Sequence, residues 1–184
     1  MAETPSTMLP LGTVAPSFTL PDTVSDTMLS LEELKSPVAT VIMFICNHCP
    51  FVKHVNQELV RLANDYQPGK VSFIAISSND IENYPQDGPD KMKETAASEG
   101  YPFPYLLDET QQVARNYQAA CTPDFYIFDS ELRLVYRGQL DGSRPGNDLP
   151  VTGEDLRGAL DAILSGNEVS SRQLPSIGCN LKWK

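Results

Sequence analysis

Basic residues are scarce in this chain. Fourteen lysines and arginines stand against 24 aspartates and glutamates, a formal charge of −10. That balance excludes nonspecific binding to nucleic acid or to an anionic membrane surface as a primary role. Long apolar runs are missing as well: none approaches the roughly 20 residues that a membrane-spanning helix needs. The amino end has no basic start followed by an apolar stretch, so no secretory signal is read there and a cytoplasmic, reducing setting is the expectation. Cysteine is sparse too. Cys46, Cys49, Cys121 and Cys179 are the only four in 184 residues, too few for a disulfide-dense scaffold and unnecessary for a core of this size. Asp80, Glu82, Asp87 and Asp90 lack calcium-loop spacing. Asp141-Gly142 and Arg144-Pro145-Gly146 are turn chemistry rather than a phosphate cradle. No internal repeat, low-complexity tract or second Cys-x-x-Cys is found.

What the chain does have is Cys46-Asn47-His48-Cys49, placed directly after the apolar run Val41-Ile42-Met43-Phe44-Ile45. Two cysteines separated by two residues, where a buried strand gives way to a helix, suit reversible thiol–disulfide chemistry. The strand end is expected to hold Cys46 in an exposed turn, with the helix start directing free N–H groups at its sulfur. Cys49, one turn further on, can then reach back to close a bridge. The competing readings are half of a tetrahedral zinc or copper site, with His48 as a further donor, and a retained but inactive pair.

The surrounding pattern predicts a β-α-β unit. Val38 to Ile45 reads as a strand covered on both faces. Phe51 to Tyr66 repeats apolar residues at helical spacing behind Pro50, and Val71 to Ile76 reads as a second buried strand. Val14 to Leu20 reads as an edge segment and Leu29 to Leu34 as one helical turn. Asn79 to Pro104 has little periodicity beyond a helix over Asp90 to Ser98, and looks like an insertion beside a site. Tyr105 to Leu107 and Glu109 to Tyr117 follow as a short strand and a short helix. Phe125 to Phe128 and Leu132 to Arg137 form a hairpin around Asp129-Ser130. Thr152 to Leu164 is a helix with a Thr152/Asp155 capping box. Residues 1–11 are read as a loose extension. Residues 165–184 are read as a tail whose alternating Ile177, Cys179, Leu181 and Trp183 pack back onto the body. One domain, with its core about 12–164, is expected.

Strand, Cys46-x-x-Cys49, helix, strand, then Thr122-Pro123 before a hairpin and a final helix resemble the thioredoxin-like superfamily. The closer likeness is to its thiol-disulfide reductase and alkyl-hydroperoxide-reductase-like (AhpC/TSA-like) branch, shared also by the opening Gly12-x-x-Ala15-Pro16-x-Phe18-x-Leu20. The resemblance implies a thioredoxin-like α/β fold, a central mixed sheet flanked by helices with an insertion after the β-α-β unit. It implies a thiol-disulfide oxidoreductase in which Cys46 attacks a protein or small-molecule disulfide, Cys49 resolves the mixed species and a thiol reductant restores the pair. No cofactor and no metal are expected, nor any nucleic-acid or membrane partner; the oligomeric state is left open.

Within that frame His48 is either a cation favouring the thiolate or a solvent-facing turn residue. Asn47, Thr122 and Pro123 are assigned to substrate binding, Thr122-Pro123 resembling the family's cis-proline loop; a plain strand-leading proline is the alternative. Cys121 is either an auxiliary thiol near Cys46 or a small buried apolar residue. Cys179 is either a resolving thiol for Cys46 or Cys121, or part of tail docking. Departures from the family pattern are plain. Ile45 replaces the tryptophan before the first cysteine, Asn47-His48 replace Gly-Pro, and Thr40 occupies the place of the buried acid. Proton transfer is thereby left to His48, water or the insertion, with Glu82 or Asp87. A thiol peroxidase of the peroxiredoxin type is the alternative function, although its Pro-x-x-x-Thr/Ser-x-x-Cys motif is not matched: Met43 and Cys46 stand where the hydroxyl would be. Its activating arginine is not evident among Arg115, Arg133 and Arg137. A non-enzymatic interaction or metal-delivery module is the third reading.

Overall fold

The computed structural model describes residues 3–184. Glu3–Pro5 forms strand β1, Thr19–Asp22 and Thr27–Ser30 the hairpin β2–β3, and Leu31–Leu34 the one-turn helix α1. Ser30 caps that turn through a reciprocal bond pair with Glu33. Ala39–Phe44 (β4), Pro50–Tyr66 (α2) and Val71–Ser77 (β5) make the expected β-α-β unit, β4 and β5 pairing in parallel. Pro89–Glu99 (α3), Tyr105–Leu107 (β6) and Gln112–Asn116 (α4) follow, then Cys121–Thr122 (β7), Asp124–Phe128 (β8), Leu134–Gly138 (β9), Glu154–Leu164 (α5) and Ile177–Asn180 (β10).

A seven-stranded mixed sheet runs β3-β2-β6-β5-β4-β8-β9. All six residues of β4 are buried, as its β-branched, polar-poor run requires of a strand covered on both faces. On one face α2 buries Val52, Val55, Leu59, Leu62 and Ala63 against Val41, Met43, Phe73 and Phe125. Each such side chain contributes about 1.5–3 kcal/mol by leaving water, which is why α2 holds although three of its residues, Asn56, Glu58 and Tyr66, are buried with polar atoms. The other face is covered by the opening segment, α1 and α4, with Phe18, Leu31 and Tyr117 packed on Ile42, Phe44 and Ile74.

Three features differ from the sequence expectations. Val14 makes only an isolated bridge to Arg133, and the strand begins at Thr19; Pro16 withholds a donor from the ladder in between. The helix expected from Thr152 starts at Glu154 without a capping box. Asp141 Oδ2 instead accepts from the Thr152 and Gly153 N–H groups at 2.8 and 2.7 Å. Of residues 1–11, read as a loose extension, the first two lie outside the described residues and Glu3–Pro5 is not loose: β1 pairs antiparallel with β10, which pairs in turn with β7, forming a second sheet of three strands. The tail does pack back onto the body, and it does so as a strand laid beside the cysteine pair.

Candidate active site

Cys46 leaves the sheet one residue after the Ile45 N–H donates to Ile76 O at 3.0 Å. The next three residues turn, and Cys49 caps α2, its carbonyl accepting from the Val52 and Lys53 N–H groups. Pro50 occupies the first helical position, where its missing donor costs nothing. The helix therefore starts at Cys49 and not at Cys46. Nor is Cys46 in an exposed turn: it is 2 % exposed and Cys49 is 0 % exposed. Both expectations for Cys46 fail for one reason, that the helix begins after the second cysteine and the insertion folds over the first.

That insertion supplies the acid absent at Thr40. Asp87, wholly buried, accepts from the Asn47 N–H at 2.9 Å and from Asn79 Nδ2 at 2.9 Å. His48 Nδ1 lies 2.5 Å from Asp87 Oδ2, a contact not aligned as a hydrogen bond. The imidazole stacks on Tyr84 with ring centres 5.7 Å apart and planes 5° from parallel. His48 is thus fixed to the insertion rather than turned to solvent. Glu82, the other acid named from the sequence, is exposed. Asn47 is already engaged: its Nδ2 donates to Gln86 O at 3.0 Å and its Oδ1 accepts from Tyr105 Oη at 2.9 Å. Its visible work is to pin the turn to the insertion. Cys46 Sγ, His48 Nδ1 and an Asp87 oxygen lie within 4.8 Å of one another. The sequence reading assigned no metal, but this sulfur, nitrogen and oxygen set could hold a zinc-like divalent ion.

On the opposite side stands Thr122-Pro123, whose peptide bond is cis, as the family resemblance implied. Thr122 Oγ1 lies 3.5 Å from Cys46 Sγ, and the Cys49 thiol donates to Thr122 O at 3.3 Å. One residue therefore touches both sulfurs. Cys121, its neighbour in β7, must point to the other face because strand side chains alternate. Its sulfur donates to Pro123 O at 3.7 Å, and burial and the adjacent Asp124 push the thiol far up. That is the small buried residue, not an approach to Cys46. Cys179 in β10 is 2 % exposed and lies opposite Thr122.

The electrostatics set the two active thiols apart. Cys49 is pushed down to about 5, chiefly by the Cys46 thiol beside it; Cys179, Thr122 and the Val52 N–H add to this against the cost of burial. Cys46 is held well above the ordinary thiol range by Cys49, by burial and by the Asp87 carboxylate, with Thr122 opposing. The two sulfurs therefore share one proton and titrate as a pair, the Cys49 side of it being the more acidic. This runs against the expectation that the earlier sulfur is the acidic one; the largest cause at each sulfur is the other, with Asp87 adding to the rise at Cys46 and the Val52 N–H to the fall at Cys49.

Strand, buried cysteine pair, helix N-terminus and facing cis-proline loop together define the fold type, and residues 11–137 match the AhpC/TSA family. The chain belongs to that family. It is a thioredoxin-fold redox protein with its cysteine pair at the family's active-site position. A conserved protein of Geobacillus kaustophilus with no assigned function is 63% identical, with a TM-score of 0.99 over 100% of this chain and 97% of that one. A hypothetical protein of Sinorhizobium meliloti is 46% identical, with a TM-score of 0.96 over 98% of each chain. A peroxidoxin of Mycobacterium tuberculosis, 17% identical with a TM-score of 0.63 over 85% of this chain and 96% of that one, shares the fold. Among proteins with curated descriptions none matches. Among the described residues no helix is long and apolar enough to cross a membrane.

Proposed function

We propose that this protein is a thiol oxidoreductase whose Cys46/Cys49 dithiol reduces a small oxidant, and that the oxidant is a hydroperoxide. The observation that carries the reading is the burial of both sulfurs, 2 % and 0 % exposed. A two-oxygen group can enter where the disulfide of a folded partner finds almost no sulfur surface. Membership of the AhpC/TSA family favours the same choice.

In the proposed cycle Cys46 hands its proton to the Cys49 thiolate and attacks the outer peroxide oxygen as thiolate. The S–O bond forms as the O–O bond breaks. The departing alkoxide or hydroxide takes that proton from the Cys49 thiol, which restores the Cys49 thiolate. The Cys49 thiolate then attacks the Cys46 sulfenic acid and expels hydroxide, which leaves as water once protonated. A thiol reductant returns the disulfide to the dithiol. The low pKa of Cys49 suits this second step, because it keeps the resolving sulfur charged at neutral pH.

The second reading is exchange with a low-molecular-weight disulfide. It is favoured by where the arginines go: Arg137 Nε donates to Leu9 O at 2.8 Å and Arg115 stacks on Trp183. Neither is free to polarise a peroxide at Cys46. Stopped-flow oxidation of the reduced protein by cumene hydroperoxide and by glutathione disulfide separates the two. The hydroperoxide reading expects a rate at least about a hundredfold above free cysteine at the same pH, the gain expected of a positioned proton donor. A free-cysteine rate with hydroperoxide and fast reaction with glutathione disulfide selects the second reading. Sluggish reaction with both overturns the enzyme assignment.

A further inference from the structure

We propose that Cys179 is a third redox thiol, which attacks Cys49 and moves the disulfide from Cys46–Cys49 to Cys49–Cys179. The proposal rests on the dithiol reading above but not on which oxidant the pair meets. Three observations place Cys179 there. First, β10 pairs antiparallel with β7 with Cys179 directly opposite Thr122. Cross-strand partners put their side chains on one face, with Cβ atoms about 4.5–5.5 Å apart. The Thr122 side chain defines that face, and its hydroxyl lies 3.5 Å from Cys46 Sγ while its carbonyl accepts from Cys49. Cys179 therefore lies on the cysteine-pair side of β10, whereas Cys121 lies on the other. Second, Cys46, Cys49 and Cys179 are all buried and belong to one packed cluster.

Third, the chain is built to hold this approach. A Cβ on Gly178 would stand 2.0 Å from Thr122 O, so only glycine lets the strand lie so close. The Ser6 hydroxyl accepts from the Ser176 N–H at 2.8 Å and donates to Asp124 Oδ1 at 2.8 Å, and Ser176 Oγ donates to Pro123 O at 2.5 Å. The tail is thereby tied to both sides of Pro123. A strand docked only to cover the core would not need its cysteine opposite the residue that touches both active sulfurs.

The step is a thiol–disulfide exchange with no net oxidation. Cys179, as thiolate, attacks the Cys49 sulfur; the Cys49–Cys179 bond forms as the Cys46–Cys49 bond breaks. Cys46 departs as thiolate and receives the proton that Cys179 released. The result frees Cys46 while the oxidising equivalent sits in the tail. Burial and the neighbouring Cys49 push the Cys179 thiol up to about 12, with Lys182 opposing; it is therefore quiet toward bulk reagents and reacts through its neighbour.

The test uses the full chain. The reduced protein is oxidised with one equivalent of diamide, quenched in acid with an alkylating maleimide and mapped by mass spectrometry without reduction. The proposal expects a Cys49–Cys179 linkage, with Cys46 alkylated, in at least about one in ten oxidised molecules, the share for disulfides differing by about 1.4 kcal/mol. It also expects Cys46→Ser to lose alkylation at Cys49 and Cys179 together, with Cys121 still alkylated. Only Cys46–Cys49 in the wild type, with Cys49 of the variant oxidised to intermolecular or reagent adducts beside free Cys179, overturns the relay and leaves the proposed function standing. Absence of any intramolecular disulfide in either protein overturns both.

Discussion

Asp124 follows the cis-proline directly, and among the described residues no cation faces its carboxyl. Oδ1 accepts from Ser6 Oγ at 2.8 Å and Oδ2 lies 3.2 Å from Tyr126 Oη; the Phe125 and Ala120 backbone N–H groups and the Cys121 thiol complete its surroundings. Burial pushes the carboxyl up to about 7, against those donors. An unfolded aspartate titrates near 3.9, and each unit is 1.36 kcal/mol, so the shift corresponds to about 4 kcal/mol. The folded state is the one that holds the proton. This contribution is therefore fully present below about pH 4, is lost as pH rises through about 7, and is constant above. Asp124→Asn makes the protonated state's shape permanent. Tyr126 Oη also lies 3.2 Å from Tyr117 O, so it can donate there and accept from the new amide. Relative to wild type, the variant is expected to gain about 2–4 kcal/mol between pH 4.5 and pH 8, read as the pH-dependent part of the stability difference in reductant-supplemented urea unfolding. A difference that stays flat across that range refutes the buried-acid argument. A difference that falls with pH reverses its sign.

The other predictions concern the pair, the tail and the helix behind them. Thiolate absorbance near 240 nm is expected to rise with a midpoint near pH 5; Cys49→Ser abolishes that step, and Cys46→Ser moves it up because the Cys46 thiol is its main support. A midpoint unaffected by Cys49→Ser would place the thiolate elsewhere. Gly178→Ala cannot keep the 2.0 Å approach to Thr122 O, so β10 is expected to shift and alkylation of Cys179 in the folded protein to quicken at least about tenfold, the factor for a 1.4 kcal/mol easier opening. An unchanged alkylation rate would show that the tail tolerates the methyl group. Arg157 donates to the buried Glu58 at 2.7 Å and to Asp65 at 2.8 Å. Arg157→Ala is expected to cost toward the low end of the about 3–5 kcal/mol of a broken buried pair, since Arg61 still holds Glu58 at 2.7 Å. Chemical denaturation measures it, and a loss below about 1 kcal/mol would class the pair with exposed ones.

The β-α-β centre was legible because its signals are local. A run such as Val41 to Phe44 reads as a doubly covered strand from its own residues, and Val55, Leu59 and Leu62 recur at helical spacing without reference to anything else. Phe125 to Phe128 and Leu132 to Arg137 announced a hairpin in the same way, and its strands run Asp124–Phe128 and Leu134–Gly138. Beginnings and ends were less legible. Thr152 and Asp155 have capping-box spacing, yet Asp141, eleven residues before Thr152, supplies the acceptor. Phe51 marked α2 by period, but period does not tell whether Cys46 or Cys49 stands at the cap.

The chemistry of the site was harder to read because it is assembled from segments far apart in the chain. The cysteines come from the β4–α2 turn, Asp87 from an insertion with almost no periodicity, Thr122 from β7 and Cys179 from the tail. Nothing local to Asp87 distinguishes it from Glu82 or Asp90, which are exposed; only the Asn47 N–H and Asn79 amide meeting its carboxylate do. Likewise Gly178 reads as one more loop glycine until Thr122 O is seen where its side chain would go. The parts that a sequence states plainly, two cysteines and a helix, are those that any member of this fold needs. The parts that set the two sulfurs apart are their contact with each other, a carboxylate placed against Cys46 and a helix start placed against Cys49.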